Sequence, residues 1–240
     1  MDRQKSIIIT YGRMNPPHKG HEMLIKKMLN GAALYKMMIA SENVNVKFDN
    51  PDAREITKQD LETADVCIYL TETKGNKNNP LQPGLKKELV GRMIAALPIN
   101  SRRKVTVETI PNIYKSSVIT ELKNKYKYVI AVLGDDRINP KMPIKPTSKI
   151  PKALLENYVN IRVSSGKRKN VNANQVFNAN NISLISSKVV RGRIREGKPF
   201  KKLLSNALRD INIENIISQV IKWNMNNRGK KSLKRKTDAK

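Results

Sequence analysis

Short β-branched runs alternate with amphipathic stretches and with turns marked by proline or glycine, and few folds accept that alternation. Ser6–Tyr11 (SIIITY), Val66–Thr71, Lys104–Thr109, Tyr128–Leu133 and Val159–Val163 read as strands. Between them a helix begins near Lys19, with Leu24, Ile25, Met28 and Leu29 on one stripe and Lys26 and Lys27 facing away. Gly84–Leu97, stopped by Pro98, and Ser116–Lys125 read as further helices. Strand–helix–strand order implies right-handed crossovers and an α/β fold with a mostly parallel sheet of about five strands. Leu203–Leu208 and Ile213–Trp223 are expected to close the chain as helices, with Trp223 anchored in the core in preference to stacking on a base. GAALYKMMIA, from residue 31, fits a helix extension or a strand. The polar stretch up to residue 64 reads as an insertion, Pro140–Pro151 as a connection, and Leu154–Asn157 as a short helix. There is no internal repeat.

Composition narrows the function classes. No apolar run is long enough to span a bilayer, so no membrane association is expected. The start, MDRQKSIIITYG, lacks the pattern of a signal peptide. The single cysteine, Cys67, lies in the apolar run VCIYL; it reads as a buried free thiol and excludes disulfide frameworks and cysteine zinc sites. A reducing compartment, the cytoplasm, is expected. Lys and Arg number 47 against 20 Asp and Glu, a formal charge of +27. A solvated lysine-rich surface would explain this, and so would a polyanionic partner, either nucleic acid or phosphorylated ligands.

Three polar motifs stand directly after strand-like runs: GRMNPPHKGH after the first, GDDR after YVIAVL, and ISSKVVR after ISL. Parallel sheets bind ligands at the carboxyl ends of their strands, so these motifs make a candidate site. In the first motif Gly12 lets the backbone approach a ligand, and Pro16 and Pro17 stiffen the loop. The loop then feeds a helix N-terminus, whose N–H groups suit an anion. His18 and His21 are the only histidines in the chain. Three apart at that N-terminus, they can face one side and donate to phosphate oxygens. The alternatives are that one caps the helix and the other packs, or that both bind zinc, for which further ligands are not evident.

GRMNPPHKGH resembles the G-R-x-x-P-x-H-x-G-H signature of the HxGH nucleotidyltransferase superfamily, which includes nicotinamide-mononucleotide adenylyltransferases, phosphopantetheine adenylyltransferase and cytidylyltransferases. ISSKVVR, Ile185–Arg191, resembles the second family motif, I-S-S-T-x-x-R. GDDR is similar to the family's glycine–aspartate turn, and NNPLQPGLKKELV to a segment of viral and phage members. The resemblance spans residues 6–197. It implies a Rossmann-like, doubly wound sheet and a cytoplasmic enzyme, in the host cytoplasm or the virion if viral. That enzyme would move a nucleoside monophosphate, AMP first and CMP next, from a triphosphate to a phosphorylated acceptor such as nicotinamide mononucleotide, with Mg2+ accompanying the triphosphate. The resemblance implies catalytic roles for His18, His21 and Arg191. It implies nucleotide or phosphate contacts for Gly12, Arg13, Met14, Gly20, Asp135, Asp136, Arg137, Ser186, Ser187 and Lys188, and no resident metal. Lys188 stands where the family has threonine.

The expected layout is a nucleotidyltransferase domain over residues 1–200 with an insertion at 35–64, a helical extension over 201–226, and a basic disordered tail over 227–240. From Arg228 the tail carries seven basic residues against Asp238 alone, which suits either weak, sequence-independent and salt-sensitive nucleic-acid binding or a solubilising role. Arg193 and Arg195 read as surface or substrate-gathering residues, and SSGKRK (164–169) as a solvated or phosphate-gathering loop. The competing function class is a basic nucleic-acid-binding or particle-associated protein that keeps the fold with weak or lost catalysis. A class I aminoacyl-tRNA synthetase fragment is a third, disfavoured by length and by ISSK.

Overall fold

The structure is a computed structural model, and it describes residues 5–39, 56–72, 79–98, 103–111, 117–134, 158–163 and 185–237. The chain forms two compact units. One comprises Met1–Gly12, Met23–Thr71 and Leu97–Arg168; the other comprises Arg13–Glu22, Glu72–Ala96 and Lys169–Lys240.

The first unit holds five parallel strands: β1 (Ile7–Gly12), β2 (Asp65–Thr71), β3 (Val105–Ile110), β4 (Val129–Gly134) and β5 (Tyr158–Val163). Their order is β3-β2-β1-β4-β5, the Rossmann-like order, with the reversal between β1 and β4. Ile7 pairs with Asp65 on one side and with Val129 on the other. Alternate residues of the inner strands, Ile7, Ile9, Tyr11, Cys67, Tyr69, Val129 and Ala131, build one core with Leu122 and Tyr126 at helix α5 (Val118–Lys125). The opposite set, Ile8, Ile68, Leu70, Ile130 and Val132, is also buried, so both faces of the central strands are covered. Cys67 is a buried free thiol, as expected.

Helix α1 (Lys19–Leu29) follows β1. GAALYKMMI is neither its extension nor a strand but a separate helix, α2 (Gly31–Ile39). A six-residue helix, α3 (Lys58–Thr63), stands inside the stretch expected to be an insertion. A capping box starts it: Asp60 N–H donates to Thr57 Oγ1 (3.1 Å), and Thr57 N–H donates to Asp60 Oδ2 (2.9 Å). Met38, Ile56 and Leu61 are buried, so the ends of that stretch belong to the core. Helices α2 and α3 meet so closely that a Cβ on Gly31 would lie 2.4 Å from the Leu61 carbonyl oxygen, which only glycine avoids.

Arg103, just before β3, ties these pieces together. It donates to the carbonyls of Leu29 (2.6 Å), Ala64 (2.9 Å), Leu61 (3.1 Å) and Met28 (3.3 Å). Burial pulls its pKa down, with Asp65 and Glu62 acting the other way. Arg103→Met would leave four carbonyls short of a donor, and we expect a loss of about 3 kcal/mol in unfolding free energy. Urea denaturation checks this; an unchanged midpoint would refute the tie.

The second unit holds α4 (Pro83–Ala95), α6 (Ser187–Arg195) and α7 (Ile211–Thr237), with 3-10 turns at Lys201–Leu203 and Asn206–Leu208. The turns replace the helix expected over Leu203–Leu208. Helix α7 does not stop near residue 226 but continues through Thr237, because lysine, arginine and leucine favour helix and Gly229 alone costs about 1 kcal/mol. Ile213, Ile217 and Ile221 form its buried stripe. Trp223 is 64% exposed, against the expected core position: it lies two residues, over half a turn, from Ile221. Arg193 is buried rather than superficial, its Nε donating to the Pro199 carbonyl (2.6 Å) in the turn that ends α6. There Gly197, at φ 65°, takes the left-handed position, while Lys198 N–H donates to Arg193 O and Gly197 N–H to Ile194 O. No helix among the described residues is long and apolar enough to cross a membrane.

Candidate functional site

The loop from Arg13 to His18 leaves the carboxyl end of β1 and lies in the second unit. Gly12 ends the strand and is buried; Arg13 is exposed. Met14 is buried with φ at 39°, a left-handed conformation unusual for a residue with a side chain. The Asn15–Pro16 peptide is cis.

The histidines act as the N-terminal cap of α1. Gly20 N–H donates to His18 Nδ1 (3.1 Å), and His18 N–H donates to His21 Nδ1 (3.2 Å). The His18 carbonyl accepts from His21 and Glu22 N–H at 2.9 and 3.1 Å. This is a capping box built from imidazoles, in which each Nδ1 satisfies a donor that the helix start leaves open. A ring nitrogen that accepts a backbone N–H carries no proton, so in the neutral rings the proton sits on Nε2. Capping thus uses Nδ1 of each ring. The ring centroids lie 3.8 Å apart, and His18 is buried. A Cβ on Gly20 would meet His18 Cε1 at 3.0 Å, Nδ1 at 3.1 Å and the Ile185 carbonyl at 3.6 Å, so the glycine keeps space for the imidazole.

That last contact puts the start of α6 beside the start of α1. Ser186 caps α6 by accepting Val189 N–H (3.3 Å), and Ser187 Oγ donates to the Pro16 carbonyl (2.9 Å). Arg191, 6% exposed, donates through Nη1 to the Asn15 carbonyl. Burial pushes its pKa down to about 10, and the positive charges of Arg195 and Arg13 add to the shift. It stays charged at neutral pH beside two further guanidinium groups. Lys188 is exposed. Lys19, the first residue of α1, also has a lowered pKa, from burial and from Arg209, with Lys202 adding and Glu22 opposing. The local electrostatics therefore favour an anion, as do two adjacent helix N-termini.

Asn15 is the residue that sequence reasoning left out. It is fully buried, its Nδ2 donates to Leu81 O (3.3 Å), and its Oδ1 accepts from Leu81 N–H (3.0 Å). One side chain thus pins the loop to the NPL segment while its carbonyl receives Arg191. Its signal was position: a polar residue between Met14 and two prolines. Lys86, in α4, is fully buried too, and burial lowers its pKa while Glu72 opposes the shift.

His18, Gly20, His21, Ser187 and Arg191 are thereby brought together around Asn15 and Pro16. Asp135, Asp136 and Arg137 lie outside the described residues, as do SSGKRK, Leu154–Asn157 and the strand expected before ISSKVVR. Among the described residues no three His, Cys, Asp or Glu side chains cluster so as to hold a metal ion. No family model matches the chain, and no curated protein matches it. Among solved structures it is similar to a bifunctional NMN adenylyltransferase/ADP ribose pyrophosphatase from Francisella tularensis, crystallised with AMP and an Mn ion. Identity is 16% and the TM-score 0.46, over 97% of this chain and 56% of that one. The chain therefore spans little more than half the length of the protein it matches.

Proposed function

We propose that the chain is a nucleotidyltransferase that moves a nucleoside monophosphate from a triphosphate to a phosphorylated acceptor. AMP is the favoured group, CMP the next, and nicotinamide mononucleotide the favoured acceptor. An oxygen of the acceptor phosphate attacks the α-phosphorus; the bond from that phosphorus to the bridging oxygen breaks, and pyrophosphate leaves with the electron pair. The acceptor is already anionic near neutral pH, so no general base is needed, and catalysis rests on positioning and on charge stabilisation.

The observation that carries this reading is the histidine pair. Each ring accepts a backbone N–H through Nδ1, so the Nε2 edge of His18 and of His21 is the one that would meet the phosphate oxygens. Arg191, whose described hydrogen-bond partner is a carbonyl rather than a carboxylate, supplies charge to the leaving pyrophosphate, and Arg13 adds to it. The backbone N–H groups at Ser186 and Ser187 are the natural cradle for the outer phosphates. The imidazole and guanidinium donors suit phosphate oxygens; Mg2+ accompanying the triphosphate would supply further charge neutralisation.

Pyrophosphate release, measured with each of four triphosphates against a panel of phosphorylated acceptors, tests the proposal. Release that needs one triphosphate and one acceptor supports it. No release with any pair, from folded protein free of nucleic acid, favours the competing class, a basic nucleic-acid-binding protein, which the charge of +27 motivates. Gly20→Ala gives a sharper check. Alanine would favour the helix by about 1 kcal/mol, yet its Cβ displaces the His18 ring. We expect a roughly tenfold to hundredfold loss of turnover without loss of stability; unchanged turnover would remove His18 from the site.

A further inference from the structure

We propose that helix α7 is a docking element for single-stranded nucleic acid, with Trp223 as its stacking residue. This stands apart from the transferase reading and rests on different residues. Helix α7 is about 40 Å long. Ile213, Ile217 and Ile221 bury one stripe, and the last side chain described on the helix, Asn224, donates to the Pro80 carbonyl at 2.9 Å. Ile216 and Trp223, seven residues apart and so on one face, are instead 45% and 64% exposed. An exposed tryptophan offers a flat aromatic face on which a base can stack.

The last turns of α7 identify the partner. Between Asn224 and the helix end stand Arg228, Lys230, Lys231, Lys234, Arg235 and Lys236, with no acidic residue. Six basic residues within nine positions concentrate positive charge there, and such a run suits a polyanion. A flat aromatic followed by a dense basic run is the pairing that binds unpaired strands: the ring stacks on a base and the cations track the phosphates. A membrane surface fits less well. It needs a continuing apolar face, and after Asn224 only Met225 and Leu233 are large and apolar.

Trp223 is the only tryptophan, so the fluorescence of the intact chain reports on it alone. Titration with a dT20 oligonucleotide at low salt should quench that fluorescence. Trp223→Ala, at an exposed position, should weaken binding about tenfold. Replacing Lys230, Lys231, Lys234 and Arg235 together by Gln should cut the slope of log affinity against log salt by roughly two to three. Binding without quenching, binding that neither variant alters, or no binding at low salt would overturn the proposal. So would quenching by vesicles of anionic phospholipid with none by dT20.

Discussion

His21→Asn leaves α1 in place and lowers the turnover of nucleotidyl transfer about 10²- to 10³-fold. The asparagine carbonyl oxygen occupies the place of Nδ1 and still accepts His18 N–H, a bond of 3.2 Å in the wild type. What disappears is the Nε2 donor, and removing one such donor from a developing charge has that order of effect. His21→Ala loses both functions, so about 1 kcal/mol of cap stability goes as well. The pair of variants separates the cap from the chemistry. Thermal unfolding should shift by no more than about 4 °C for His21→Asn, the size of a 1 kcal/mol change in a chain this long. Full turnover in His21→Asn would mean that the histidines serve the helix alone.

Arg191→Met is the second large effect. The guanidinium is buried, held by the Asn15 carbonyl, and set against the like charges of Arg195 and Arg13. Keeping a cation there opposes folding, and a bound triphosphate would reverse that penalty. Losing the hydrogen bond costs roughly 1–3 kcal/mol, and removing the buried charge offsets part of it, so the unliganded variant stays folded. Turnover should fall about 10²-fold or more. The sharper readout is protection by ligand. A triphosphate at a hundred times its Kd stabilises wild type by about 2.7 kcal/mol, and most of that increment should vanish in Arg191→Met. Arg191→Lys restores the charge without the planar fork and should recover only part. Equal protection of wild type and Arg191→Met would exclude this residue from the phosphate site.

Much of the sheet was legible because β-branched runs such as SIIITY and VCIYL have no helical periodicity and fill strands buried on both faces. The loop and ISSKVVR were legible as motifs; that α6 lies against the loop was not, because it depends on Ser187 reaching Pro16 and Arg191 reaching Asn15 across some 170 residues. Of the sequence alternatives for the histidines, the capping role is the one the hydrogen bonds display, and both rings share it rather than one capping while the other packs. Helix α3 was missed since polarity suggested insertion, although Thr57 and Asp60 spell a capping box and Leu61 is an apolar anchor. Trp223 was misplaced by treating size as a sign of burial. The spacing of Ile213, Ile217 and Ile221 already assigned the buried stripe and left the tryptophan on the other side.

The most direct measurement tracks the α-phosphate. The protein is incubated with Mg2+, nicotinamide mononucleotide and ATP labelled with ³²P at the α-position, then in parallel with ATP labelled at the γ-position. The account predicts that α-label appears in a dinucleotide, γ-label appears in pyrophosphate, and both are lost in His21→Asn. Label that remains in ATP with every phosphorylated acceptor and triphosphate tried, or γ-label released as orthophosphate, would contradict it.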